Sequence, residues 1–294
     1  MSLLAILTSL AIEHYVDSIT QFRNYRWIKC FADWIKEKFS QTEFWNDTLG
    51  LIATILIPMF GCAIIYGALH NAMSLLGFLF SLLVLVYCIG PTRVLHTVRL
   101  YLDAAEHEDE HSSQTYLNEI LETESANVDD ETHEKICSKM FVSTNEGVLS
   151  IFFWFILLGP MGALMCRMVS ILYKYSHEPA EGEDQEFTEF NNSTRMLYAI
   201  LLWLPSQITM LTFAITGSFV DTFNEWKSRL SNDYLNPQET EQTLHRTGLS
   251  ALQINPDDHH CELSTVHDVL ALCWRSVIVW VTALALLTLA GLTG

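Results

Sequence analysis

Acidic side chains and long apolar runs never coincide in this chain. None of its 34 aspartates and glutamates falls within Thr48–Leu69, Met73–Ile89, Val148–Leu172, Met196–Val220 or Val269–Leu292, runs of 22, 17, 25, 25 and 24 residues. A bilayer's hydrocarbon core takes about 17–25 apolar residues in helix, and a carboxylate at its centre costs roughly 2.5–3.5 kcal/mol. Lipid offers the backbone no hydrogen-bond partner, so such runs cross it as closed helices. None of them shows the alternation of a barrel strand. The fold class expected is all-α, a polytopic membrane helical bundle of four to five transmembrane helices.

The first dozen residues, Met1–Ile12, are apolar but short for a crossing. No basic residue precedes them and no small-residue cleavage site follows, so an interfacial or re-entrant piece is expected rather than a cleaved signal peptide.

Lysine and arginine orient the runs. If all five cross, residues 13–47, 90–147 and 221–268 share one face and carry five, four and three basic residues. The opposite face holds two, Lys174 and Arg195. The first face is therefore assigned to the cytoplasm. The expected organisation begins with an apolar and amphipathic interfacial segment over 1–47 and a transmembrane helical pair over 48–89. An acidic cytoplasmic helical region follows over 90–147. Two proline-interrupted membrane segments occupy 148–220, joined by an acidic loop over 173–195. A cytoplasmic polar region covers 221–268, and a last transmembrane helix covers 269–294.

Two interruptions leave the crossings open. Gly159-Pro160 falls near the middle of the third run and Pro205 within the fourth. Proline removes a helix hydrogen bond, so each run either crosses with a kink or returns as a re-entrant hairpin buried in protein.

The polar segments show helical periodicity. Val94, Val98 and Leu102 recur at helix spacing with Leu95, Tyr101 and Ala105 beside them, and a second helix is expected over Gln114–Leu121. Phe22, Tyr25, Ile28, Phe31, Ala32, Ile35 and Phe39 form one helical face, with Arg23, Arg26, Lys29 and Lys36 opposite and Trp27 and Trp34 nearby. That pattern suits either a helix in the membrane interface or one packed on protein. Net charge is −18, which repels nucleic acid and anionic lipid heads and argues against both as partners. The lipid bilayer itself is the partner that the apolar runs imply. Seven cysteines without a CxxC pair give no disulfide framework.

Few motifs announce chemistry. His107-Glu108-Asp109-Glu110-His111 matches HExxH, which on one helix would place two imidazoles and a general base on a metal. Its acidic variable positions and lack of a third ligand in any motif favour a solvated helix instead. Asp257-Asp258-His259-His260-Cys261 mixes ligand types at no structural zinc spacing. Phosphate-binding glycine loops and a serine elbow are absent from the sequence. The ionisable and polar groups inside the apolar runs say more. Arg167, with five residues of its run beyond it, either snorkels to the head groups or marks a site. Gln207 either caps the carbonyl that Pro205 frees or serves a ligand. Gly159, Gly162 and Ala163 permit close helix approach.

The run Phe153-Trp154-Phe155-Ile156-Leu157-Leu158-Gly159-Pro160-Met161-Gly162-Ala163-Leu164-Met165-Cys166-Arg167 resembles the FW–GP–GAL–YR signature of AmpE-like inner-membrane proteins, relatives of the CobD/CbiB cobinamide-phosphate synthases. Three further segments agree in order and spacing: Ile12-Glu13, Cys88-Ile89-Gly90 through Arg93 to Tyr101–Ala105 and Asp109, and Trp203-Leu204-Pro205 before Leu211–Phe219. The resemblance spans essentially the whole chain. It implies a multi-pass protein of the bacterial inner membrane that modulates β-lactamase induction and the response to cell-wall stress. A polar site around Glu13, Glu146, Arg167 and Gln207 would bind a cell-wall-derived small molecule or couple to an inner-membrane partner protein.

Three departures separate the chain from the synthase branch. Ser170-Ile171-Leu172-Tyr173 stands where that branch has Asn-Thr-Leu-Asp, Gln207 replaces the arginine of Pro-Ala-Arg, and Val142-Ser143 replaces Glu-Asn. Amide formation driven by ATP and Mg²⁺ needs cations and metal-bound carboxylates for the developing phosphate charge. The synthase reading therefore requires Glu13, Asp109 and Glu146 to converge. A third reading, a small permease for a cell-wall fragment, requires a polar path lined by Arg167 and Gln207.

Overall fold

The computed structural model describes residues 5–9, 25–39, 47–89, 92–123, 129–177, 189–229, 236–256 and 261–289, and every regular element among them is helical. Beyond a short helical segment over 5–9, these elements are α1 (Arg26–Phe39), α2 (Asp47–Ala72), α3 (Ser74–Cys88), α4 (Thr92–Glu106), α5 (Glu110–Leu121) and α6 (Asp130–Thr144). A π-helical segment (Asn145–Leu149) leads into α7 (Ser150–Leu158), followed by α8 (Pro160–His177), α9 (Glu189–Thr216), α10 (Phe219–Arg229), α11 (Pro237–Ala251) and α12 (Leu263–Leu289). Among the described residues, four helical stretches are long and apolar enough to cross a membrane: Thr48–Ala72, Glu131–Leu158, Phe190–Thr216 and Leu263–Leu286. The run Met73–Ile89 gives only the 15-residue α3, about 22 Å long against a core of about 30 Å. Contacts divide the chain into two units: Met1–Ile89 with Ser150–Leu201 and Leu287–Gly294, and Gly90–Leu149 with Leu202–Leu286.

In the first unit α8 packs against α1, α2, α3 and α7. The amphipathic stripe read from residues 22–39 is real where it is described: Ile28, Ala32 and Ile35 are buried on α1, while Trp27 and Trp34 stay exposed. Tyr175 on α8 fixes the helix from outside, its hydroxyl 3.3 Å from Asp33 Oδ1 and its ring under Lys29 Nζ. Helices α2 and α3 form a hairpin joined at Met73, whose extended backbone (φ −160°, ψ 126°) ends the helical path. The absence of a side chain at Gly77 lets α3 approach His70, whose Cα would lie 3.0 Å from an added Cβ. Ile57, Phe60 and Ile64 on α2 and Leu75, Leu79 and Leu83 on α3 are exposed apolar stripes.

The third apolar run reverses at Gly159. That residue has φ 66°, the left-handed region that glycine enters without a Cβ penalty, and Pro160 starts the next helix, where its missing N–H costs nothing. Helices α7 and α8 then pack on each other so closely that a Cβ on Gly162 would lie 2.2 Å from the Trp154 carbonyl oxygen. Eight residues apart on a straight helix, those two positions would be separated by about 12 Å. Val148–Leu172 is thus a helical hairpin and not a kinked rod, and the stretch long enough to cross begins earlier, at Glu131.

The second unit has a continuous apolar core from α4, α5, α6, α9, α11 and α12. Leu95, Val98, Tyr101 and Leu102 are buried on α4 as their spacing requires, and Leu117 and Ile120 on α5 face the same core. Phe141 sits at its centre, fully buried against Phe213 at 5.3 Å between ring centroids. A Cβ on Gly248 would meet the Phe141 ring at 2.4 Å, so α11 approaches α6 only because that residue is glycine. Burying a side chain of this size contributes about 1.5–3 kcal/mol.

Candidate functional site

The polar groups expected to matter fall into both units. Gly159, Gly162 and Arg167 all belong to the α7–α8 hairpin of the first. Glu146, Gln207, Asp109 and Arg93 belong to the second. Arg93 lies in the first turn of α4, with its side chain outside the described residues, as is Glu13 altogether.

Arg167 is held by aromatic rings. Its guanidinium carbon lies 4.5 Å from the Tyr25 ring centroid, an arrangement worth about 0.5–2 kcal/mol. Tyr25 is fixed in turn by its hydroxyl, which donates to the Tyr87 carbonyl at 2.9 Å, and by an edge-on contact with the Tyr87 ring. Trp27 Nε1 donates to the Tyr87 hydroxyl at 2.7 Å. The cation–π contact satisfies charge but not hydrogen bonding. Arg167 Nε is buried and has no acceptor among the described residues. A guanidinium carries five donors in a planar fork, suited to a carboxylate or phosphate taken through two parallel bonds. Sequence reasoning found the arginine and missed Tyr87; a polar-tipped ring inside an apolar run was the available signal.

The second unit holds a buried polar node. All five residues of the π-helical segment Asn145–Leu149 are buried, Glu146 among them. Such a bulge shifts side chains out of α-helical register and recurs at functional positions. Asn145 uses both ends of its amide: Nδ2 donates to Ser206 Oγ at 2.9 Å, and Oδ1 accepts from Thr209 Oγ1 at 2.8 Å. Ser206 and Thr209 also donate back to the carbonyls of Leu202 and Pro205, a bond that serine and threonine make along buried helices. Gln207 does not cap the carbonyl that Pro205 frees. That carbonyl, Leu201 O, accepts from Trp154 Nε1 at 3.0 Å, while Gln207 Oε1 accepts from Trp226 Nε1 at 2.8 Å.

The HExxH match is split between a turn and the start of α5. His107 and Glu108 make a turn, with Glu108 at φ 57°, and Asp109 caps α5 by accepting from the Ser112 amide. One helix therefore does not carry both imidazoles. Capping also holds the Asp109 carboxyl below its usual range, the Ser112 hydrogen bonds being the cause. His107 is exposed, and its pKa is pushed up by its bond to the Asp103 carbonyl. No group of three or more His, Cys, Asp or Glu side chains able to hold a metal occurs among the described residues. Residues 257–260 of the second ligand-rich stretch lie outside them. Asp109 is exposed and Glu146 buried, so the two described carboxylates of the synthase expectation have different surroundings.

Two further titratable groups shape the second unit. Glu225 Oε1 on α10 accepts from Arg246 Nε at 2.6 Å and Arg229 Nε at 3.0 Å. Burial works to raise its pKa, but these two arginines outweigh it and hold the carboxyl below its ordinary value. His245 on α11 lies against Phe141, its Nε2 buried without a partner among the described residues. Burial pushes its pKa down, with Glu134 opposing and Arg246 assisting.

No curated protein and no solved structure matches the chain. The family model for regulatory signalling modulator protein AmpE matches residues 1–293, and over that whole length the chain belongs to the AmpE family.

Proposed function

We propose that the chain is a regulatory protein of the bacterial inner membrane, linked to β-lactamase induction and the response to cell-wall stress, and that it works by binding rather than by catalysis. The family supports the regulatory part of this reading. The observation that carries the binding part is Arg167: a cation held over the Tyr25 ring, with its buried Nε lacking an acceptor among the described residues. The group that meets it is the carboxylate of a cell-wall-derived fragment. The exposed apolar stripes of α2 and α3 suit contact with lipid, and the Asn145–Ser206–Thr209 node serves as a fixed internal joint. The synthase and permease readings have no observation in their favour among the described residues.

The test is β-lactamase induction in cells carrying either the wild-type chain or Arg167→Gln at equal membrane levels. Altered induction in the variant is expected. Identical induction at all inducer concentrations would remove Arg167 from the account.

A further inference from the structure

Helices α4 and α12 of the second unit leave between them an open cleft of about 550 Å³. Its floor is apolar, with Leu102 and Leu270 buried, and Trp274 stands at one side with 40% of its surface exposed. Arg99, Asp103 and Glu106 line the α4 wall. On a helix these three positions share a face, with the cation toward one end and the two carboxylates toward the other. At 1.5 Å per residue, the acidic positions lie roughly 6–10 Å along the axis from Arg99.

These opposite charges do not neutralise each other. Arg99 and Asp103 stand four apart, with the base on the N-terminal side, the weaker order for such a pair. Asp103 instead lies 3.7 Å from His107 Nδ1. Neither Arg99 nor Glu106 forms an ion pair with a described residue. Just past Trp274, Arg275 is exposed and donates to the Thr216 carbonyl at the end of α9. After it α12 continues in the apolar stretch Ser276–Leu286. The cleft thus lies where the polar first turns of α12 give way to an apolar span.

We infer that this cleft binds a zwitterionic amphiphile, its anionic group on Arg99, its ammonium on Asp103 and Glu106, and its apolar part on Trp274 over Leu102 and Leu270. A short peptide with free termini has this chemistry. Three extended residues span about 10 Å, which matches the charge separation. An aminophospholipid headgroup carries the same pair of charges. The inference is independent of Arg167 and of the proposed regulatory role.

The experiment titrates the full chain in mild detergent with the tripeptide Ala-Leu-Ala, its N-acetylated form and its C-terminal amide, reading tryptophan fluorescence. Saturable binding of the free tripeptide is expected, with the signal lost in Trp274→Phe. Blocking either terminus should weaken binding by roughly three- to tenfold, the scale of one charge-assisted contact at a partly open site. Arg99→Gln should make the amide and the free acid bind alike, and Glu106→Gln should weaken the free-amine peptide but leave its acetylated form unchanged. Both variants alter exposed side chains, and thermal unfolding checks that they fold as the wild type does. A parallel titration with phosphatidylethanolamine nanodiscs separates the sources. Displacement of the tripeptide makes the lipid an occupant of the same site, and failure to displace it makes the occupant a free peptide. Binding indifferent to both termini, or no binding of either tripeptide or phosphatidylethanolamine, overturns the proposal.

Discussion

Trp154 Nε1 donates to the carbonyl of Leu201, 3.0 Å away, the one helix carbonyl that Pro205 leaves without its i+4 amide. A side chain from the α7–α8 hairpin therefore repairs the proline break in α9. Trp154→Phe leaves that carbonyl unpaired and should cost about 1–3 kcal/mol. Pro205→Ala restores the backbone donor, so Trp154→Phe should cost less in its presence. Thermal unfolding of the four proteins of this double-mutant cycle in one detergent measures the coupling; strictly additive losses would show that the indole bond does not stand in for the missing amide.

The hairpin makes two glycines unequal. Gly159→Ala meets only backbone strain, since nothing lies within 4 Å of its added Cβ and φ is 66°, and should cost about 1–2 kcal/mol. Gly162→Ala drives a methyl to 2.2 Å from the Trp154 carbonyl oxygen, an overpacking without a flexible neighbour to give way. Its cost should exceed that of Gly159→Ala and reach about 3 kcal/mol. Equal melting temperatures for the two variants would contradict the reversal at Gly159.

The helical faces were readable in advance because burial follows a period of 3.6. Ile28, Ala32 and Ile35 recur at that spacing, as do Val98 and Leu102, and each lies inside. Gly159-Pro160 announced a break, but its direction depended on Gly162 meeting Trp154, a contact that neither residue advertises alone. The HExxH match failed through a local competitor legible in the same letters. Asp109 three residues before Ser112 is an N-cap, and the helix starts after it. Gln207 was correctly singled out as polar, yet its partner Trp226 lies 19 residues on, and the hydroxyls of Ser206 and Thr209 reach Asn145 across more than 60. Such pairings are set by tertiary packing, which periodicity does not carry. Glu13 falls outside the described residues.

Acid should loosen the α10–α11 pair. Glu225 has a folded-state pKa below its unfolded value. Its contribution is therefore complete above about 4.3, the ordinary glutamate value, and is lost as pH falls through the lower folded value. Because the carboxylate remains partly open to solvent, each arginine contact is worth only about 0.2–1 kcal/mol. Wild type and Glu225→Gln should differ in melting temperature at pH 7 and converge well below pH 4. A gap that persists at low pH would show that the charge is not what matters.

His245 acts in a higher window. Its folded pKa is depressed by burial, so the unfolded chain takes up its proton first. Stability should be intact above about 6.5 and fall as pH drops from there through the lower folded value. His245→Leu keeps the ring's place beside Phe141 apolar and should remove that step while leaving stability at pH 8 within about 1.5 kcal/mol. An unchanged pH profile would point to a different titrating group.

Native mass spectrometry of the full chain, released from mild detergent with added muramyl tripeptide or Mg-ATP, tests the central claim most directly. The account expects the wild type to retain the muramyl tripeptide and Arg167→Gln to lose it, with neither protein holding nucleotide. Retention of Mg-ATP, or muramyl tripeptide held equally by Arg167→Gln, would contradict a binding protein built on Arg167.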